Sequence, residues 1–397
     1  MRINYLFFTL LAIVGITFSS CIKDEADNAE ADILNAFINK EEMTGNVKIE
    51  NSRITFSVRY ETDITKQAPT FTLTEGATIE PASGTERDFT TPQTYTVTSQ
   101  DGKWHKLYSV SFTSTELSTK YNFENYEQRL DERGKPEKWY TFFELDDTNN
   151  KLYPWANANP SFSLTAGNRT PEQYPTTVEK NGYNGAALKV QTESTGGLGA
   201  IFGKPIAAGN MFLGSYDPGP AFDNPLLTLQ LGIPFNKIPV SIIGKMNYVA
   251  GPKNQFNKDG SIKVDKDGNP LFEKVYLDKK EVKKEDFNDK CDIYAIFFEN
   301  EIDGKPFHLD GTNKFTHPNI VAIARIDQNK TGNTDGWKSF SIPFEMIKDK
   351  KIDKELLKQN KYSITILTTS SYKGDDFSGA IGSTLLIDNL EIIYEKN

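Results

Sequence analysis

Along most of the chain, apolar and polar side chains alternate with a period of two, in short runs closed by turn residues. Ile54, Phe56, Val58 and Tyr60 fall on one face of such a run, and Thr55, Ser57 and Arg59 on the other. Tyr95 and Val97 repeat the pattern, as do Tyr108, Val110 and Phe112, and Pro81 to Gly84 and Asp101-Gly102 between them are turn chemistry. From 31 to 116 this predicts a sandwich of about seven strands of immunoglobulin type, without that fold's intersheet disulfide and tryptophan. By propensity alone, Ala31 to Asn39 could instead open as a short helix.

From 117 to 397 longer runs recur: Ala187 to Thr192, Leu226 to Leu231, Val240 to Tyr248, Asp292 to Glu299, Val321 to Ile326, Trp337 to Ile342, Tyr362 to Ser370 and Leu385 to Tyr394. Ile293 to Phe298 is apolar on both faces, so it must be a central strand covered twice. Only Lys350 to Lys361 offers a helix, with Ile352, Leu356 and Leu357 at helical spacing. Many strands and one minor helix predict a two-sheet jelly roll, so the whole chain is all-β. Between Gly251 and Lys290 the chain turns polar, and Asp259-Gly260 and Asp267-Gly268 predict a protruding hairpin. Asp265 and Asp267 are turn residues, because Gly268 comes too early for a calcium-binding loop. Trp337 starts a strand and is assigned to the core.

Composition then narrows the function. The 397 residues carry a formal charge of −9, which excludes nucleic acid as a partner. The three histidines and two cysteines are too scattered for a short-spaced metal cluster, and no phosphate loop, Gly-x-Ser-x-Gly elbow or His-Glu-x-x-His occurs. Arg2 followed by the apolar run Tyr5 to Phe18 reads as a signal peptide over 1–20, too short to span a bilayer comfortably. Ser19 and Ser20 before Cys21 resemble a lipobox, which implies lipidation of Cys21; an ordinary secretory signal is the alternative. Over 21–30 follows an acidic tether, whose Lys23, Asp24 and Glu25 resemble the surface-export signal of Bacteroides lipoproteins. The membrane is then met through the lipid alone, at the outer membrane and on the cell surface. Cys291, left without an intrachain partner, reads as a buried thiol.

Two resemblances sharpen this reading. Ala77 to Gly84, Asp88-Phe89, Pro92 and Tyr95 to Gly102 are similar to the Ig-like modules at the N-terminus of Bacteroides surface lipoproteins, which implies a first strand within Ala31 to Asn39. Asn122 to Tyr126, Tyr183 to Lys189, Gly232 to Phe235, Lys245 to Gly251, Cys291 to Ile296 and Trp337 to Phe344 resemble the putative carbohydrate metabolism domain family. So do Thr369 to Ser383 and Leu386 to Leu390, the most specific of these segments. The resemblance implies a jelly roll like those of carbohydrate-binding modules, and a glycan as partner.

Sugar binding asks for flat apolar rings beside carboxylates and amides. Trp139, Tyr140, Trp155, Tyr216 and Tyr372 stand in irregular or turn-rich stretches, with Asp375 and Asp376 beside the last. Each ring could equally pack under a loop. Glu124 and Asp388, near the two ends of the domain, would either share a structural calcium or accept capping hydrogen bonds. A non-catalytic glycan-binding lipoprotein is the leading expectation. The alternatives are a glycoside hydrolase, with Glu144, Asp146, Asp147, Asp375 and Asp376 as its carboxylates, and an adhesive protein-binding lipoprotein.

Overall fold

Alternation does place Ile54, Phe56 and Val58 on one fully buried face. In the computed structural model, which describes residues 27–39, 42–43, 47–58, 62–114, 118–130, 134–145 and 151–395, the chain forms two compact units meeting at 116/117. The signal segment, Cys21, most of the tether, Arg59, Tyr60, Asp146 and Asp147 lie outside the described residues.

The first unit contains β1 (Ile33–Phe37), β2 (Lys48–Ile49), β3 (Arg53–Val58), β4 (Thr70–Leu73), β5 (Thr78–Glu80), β6 (Gln93–Thr98) and β7 (His105–Ser114). Within Ala31 to Asn39 the chain forms the strand β1, not a helix, and β1 pairs antiparallel with β4. The other strands form one sheet in the order β2-β3-β7-β6-β5, with β3 and β7 parallel. Their inner faces close a core around Phe56, Phe89, Tyr95 and Phe112.

The second unit is a two-sheet sandwich. Its strands are β8 (Lys120–Tyr121), β9 (Trp155–Ala156), β10 (Thr176–Glu179), β11 (Ala187–Gln191), β12 (Asn210–Tyr216), β13 (Leu229–Leu231) and β14 (Ile233–Pro234). They continue as β15 (Pro239–Val249), β16 (Asp292–Glu299), β17 (Ile320–Arg325), β18 (Lys338–Pro343), β19 (Glu345–Met346), β20 (Tyr362–Thr369) and β21 (Thr384–Tyr394). An eight-stranded sheet runs β9-β12-β20-β16-β17-β19, with β13 beside β12 and β14 beside β20; a six-stranded sheet runs β10-β11-β21-β15-β18, with β8 beside β21.

Strand β16 is central and covered twice. Ile293, Ala295 and Phe297 point into the core between the sheets, against residues such as Leu188, Ile242, Tyr248 and Ile387. Tyr294, Ile296 and Phe298 point outward into a second apolar layer with Phe212, Leu231, Leu309 and Leu367, roofed by loops. That layer means the outer face of the eight-stranded sheet is not plain solvent.

Several local expectations shift. Pro225 opens a 3-10 turn, Pro225–Thr228, capped by the Asn224 side chain, so the strand expected from Leu226 shortens to β13. The helix shortens to Lys354–Lys358, where Asp353 caps the amides of Glu355 and Leu356. Trp337 is half-buried and meets Tyr183 edge-on at 5.8 Å, because it precedes β18, an edge strand, and does not reach the core. The polar protrusion is not one hairpin. The backbones of Gln255, Lys263 and Leu271 bond one another in a ring, at 2.8 Å each, and two Asx-type turns project from it. Asp259 and Asp265 accept from the amides of their own turns. Cys291 is a buried thiol without a disulfide, and burial pushes its pKa up. Among the described residues no helix is long and apolar enough to cross a membrane.

Candidate functional site

Strand pleating decides what the outer face of the eight-stranded sheet presents. Asp292 and Tyr294 are two residues apart and point outward together, while Ile293 between them points to the core. Pairing aligns Asn210 of β12, Thr369 of β20 and Asp292 of β16 in one row. The next row holds Leu367, Tyr294 and Arg325. Loops around 158–165, 195–208, 216–229, 314–315 and 371–377 rise over these rows and enclose a cleft of about 220 Å³.

The floor of this cleft is charged and mostly buried. Asp292 accepts from Arg325 Nε at 3.0 Å, from Arg325 Nη2 at 2.6 Å and from Gln328 Nε2 at 3.0 Å. Burial raises the Asp292 carboxyl above the ordinary aspartate range, against the pull of Arg325. The Arg325 guanidinium lies over the Phe315 ring, 4.5 Å from its centroid. Lys314, almost wholly buried, is ion-paired to Asp375. Burial works against its charge, but Tyr294 and Asp375 beside it carry the Lys314 pKa above the usual lysine range. The Tyr294 hydroxyl is buried with no hydrogen-bond partner among the described residues, and burial pushes its pKa up. Aromatic walls come from Phe162, Phe202, Tyr216, Phe222, Tyr372 and Phe377.

A buried carboxylate outside the cleft holds one of its walls in place. Asp289 Oδ2 accepts from Ser371 Oγ at 2.6 Å, Ser383 Oγ at 2.7 Å and Ala380 N at 2.8 Å. It thereby clamps the 371–383 segment, which carries Tyr372 and Asp375, to the base of β16. Among the described residues no cation is paired with it, and burial pushes its carboxyl up to about 6.

Of the residues singled out in the sequence, Tyr216, Tyr372 and Asp375 come together in this cleft. Tyr216 donates to Ser161 Oγ at 2.5 Å, and Tyr372 stacks on Phe287 at 6.2 Å. Asp376, exposed in the turn Gly374–Asp376, does not line it. Trp139 packs on Tyr174, and Tyr140 meets Tyr126 edge-on and donates to Glu172 at 2.9 Å. Trp155, 5% exposed, sits in the core between the sheets, edge-on to Tyr121. Glu124 and Asp388 meet at the turn before β11: Glu124 accepts from Ala186 N at 3.1 Å, and Asp388 from Asn184 N at 2.9 Å. Burial raises the Asp388 carboxyl. Among the described residues no group of three or more His, Cys, Asp or Glu could hold a metal. Lys204, Asp292, Tyr294, Lys314 and Arg325 were not singled out, although one signal existed: an aspartate heading a run that is otherwise apolar on both faces.

Glu144 lies away from the cleft beside Tyr121 and Trp155, where burial lifts its carboxyl to about 7. Its unfolded value is about 4.3, so the folded state holds the proton more tightly, and stability falls as pH rises through about 4.3 to 7. Glu144→Gln should therefore melt at a higher temperature than the native chain at pH 8 and differ little at pH 4. Equal melting shifts at both pH values would refute this account.

Residues 122–393 match the family described as "Putative carbohydrate metabolism domain", and residues 33–111 the family described as "SGBP, N-terminal". The chain is similar to a solved Bacteroides thetaiotaomicron protein called a putative glycoside hydrolase, with 44% identity and a TM-score of 0.64, over 94% of this chain and 100% of that one. A Bacteroides vulgatus protein with the same designation is 32% identical, with a TM-score of 0.58, over 70% of this chain and 98% of that one. No curated protein matches the chain.

Proposed function

Because the chain belongs to the putative carbohydrate metabolism domain family, we propose that its second unit binds a glycan in the cleft above β12, β20, β16 and β17. On this reading Cys21 is lipidated, and the first unit, which matches the "SGBP, N-terminal" family, holds the binding unit out from the cell surface. One observation carries the proposal: aromatic walls, including Tyr216 and Tyr372, stand over a floor of fixed charges and amides. Rings of this kind stack on the apolar faces of sugars, and ion-paired groups bond hydroxyls without needing to reorganise.

A glycoside hydrolase is the second reading, favoured by the presence of two carboxylates, Asp292 and Asp375, in one cleft. Hydrolysis needs one carboxyl to carry a proton near neutral pH. Here Asp292 is bonded to Arg325 and Asp375 to Lys314, so neither carboxyl is free to hand a proton to a glycosidic oxygen or to attack the anomeric carbon. Binding without cleavage is therefore the better reading.

The test is a glycan array probed with the purified chain, with released oligosaccharide assayed in the same wells. Tyr372→Ala and Asp375→Asn, shown folded by thermal denaturation, should weaken binding at least about tenfold, or about 1.4 kcal/mol. Binding unchanged in both variants would remove the site from the cleft, and released oligosaccharide would establish the hydrolase. Trp155→Ala is not a useful probe, since it would open the core.

A further inference from the structure

The charges lining the cleft do not balance. Three cations, Lys204, Lys314 and Arg325, face two carboxylates, Asp292 and Asp375, in a chain whose net charge is −9. Arg325 is paired with Asp292 and Lys314 with Asp375, so Lys204 is left over. Its ammonium donates to the carbonyls of Ala221 and Phe222, at 2.9 and 2.8 Å. Those oxygens orient it but carry no formal charge to offset its own. Burial draws the Lys204 pKa below the usual lysine range; Asp223 offsets this only through space, and Lys279 adds to it.

Hydrogen-bond donors are in excess too. Arg325 spends Nε and Nη2 on Asp292, and its Nη1 has no acceptor among the described residues. The buried Tyr294 hydroxyl has no acceptor for its proton among the described residues. Its neighbour Lys314 is a donor only, so it cannot take that proton. Spare positive charge and spare donors in a partly buried cleft complement an anion with several acceptor oxygens.

Resting on the carbohydrate reading, we propose that the cleft selects a sugar bearing an acidic substituent, carboxylate or sulfate, over its neutral counterpart, with Lys204 facing the acid group. A neutral sugar would leave these donors to water and the Lys204 charge unmatched.

Calorimetric titration of the purified chain with a galacturonic acid trisaccharide, a sulfated galactose disaccharide and neutral galactotriose tests this, and the first two probes separate carboxylate from sulfate. At least one acidic probe should bind about tenfold or more tightly than galactotriose. That margin should shrink as salt rises from about 50 to 300 mM. Lys204→Gln and Arg325→Gln should each reduce the margin; should Arg325→Gln fail to fold, Lys204→Gln, at the half-buried wall, still decides. Equal affinities for acidic and neutral probes, or a margin untouched by Lys204→Gln, overturns the selectivity. If a glycan array retains only neutral sugars, and Tyr372→Ala abolishes that binding, the selectivity fails while the carbohydrate reading stands. If no glycan of either charge binds, both fail.

Discussion

Arg325→Met should cost the second unit about 2 to 3 kcal/mol at pH 7 and much less near pH 4. The Asp292 side chain is only 3% exposed, and Arg325 is its one ion-pair partner among the described residues. Removing the guanidinium leaves a buried carboxylate with Gln328 and the Ile293 amide as donors and Lys314 acting only through space. The cost falls below the roughly 3 to 5 kcal/mol usual for a broken buried pair because the Arg325 side chain is 39% exposed and already partly solvated. The pH dependence follows from the sign of the shift. Without Arg325 the folded-state pKa of Asp292 rises further above its unfolded value, so the proton is held in the folded state and stability returns on acidification. Urea denaturation at pH 7 and pH 4 reads this directly, and Asp292→Asn placed in the same chain should recover most of the loss at pH 7. A loss equal at both pH values would instead point to the packing of Arg325 on Phe315.

Asp289→Ala should be more damaging, at about 3 to 4 kcal/mol, because one carboxylate oxygen serves three donors. The Ser371 and Ser383 hydroxyls can rotate toward other acceptors, but the Ala380 amide cannot. Since Asp289 clamps the 371–383 segment, glycan binding through Tyr372 and Asp375 should fall along with stability. Asp289→Asn separates charge from hydrogen bonding. The native carboxyl is pushed up to about 6 in the fold, from about 3.9 unfolded, so its protonated form favours folding. That contribution is fully present below about pH 3.9, declines as pH rises to about 6 and is flat above. The difference between the melting-temperature curves of Asp289→Asn and the native chain should slope only in that window; parallel curves would exclude Asp289 as the titrating group.

Much of the fold was legible in single segments. Ile293 to Phe298 has no polar face, and the structure buries both of its faces in different apolar layers. Alternation at Ile54, Phe56 and Val58 states an inner face within a few residues of chain, while the Asp353 cap that starts the helix at Lys354 is not contained in the helical spacing read from Lys350. The candidate site was legible only in part. Tyr216, Tyr372 and Asp375 stand in turn-rich segments that do rise around the cleft. Trp155 has the same kind of neighbourhood in sequence, yet it lies in a two-residue strand that pairs with β12 and is packed between the sheets.

Local chemistry by itself determined that this is an all-β chain, where its central strand runs and where it turns, because pleat, cap and turn preferences act over two to five residues. Tertiary packing alone decided which face of β16 would be roofed by loops and so become a cleft floor. It also decided that Lys314 would meet Asp375 across 61 positions and Arg325 would meet Asp292 across 33. Those pairings depend on which strands become neighbours and in what register, and a period of two along one strand carries no information about either.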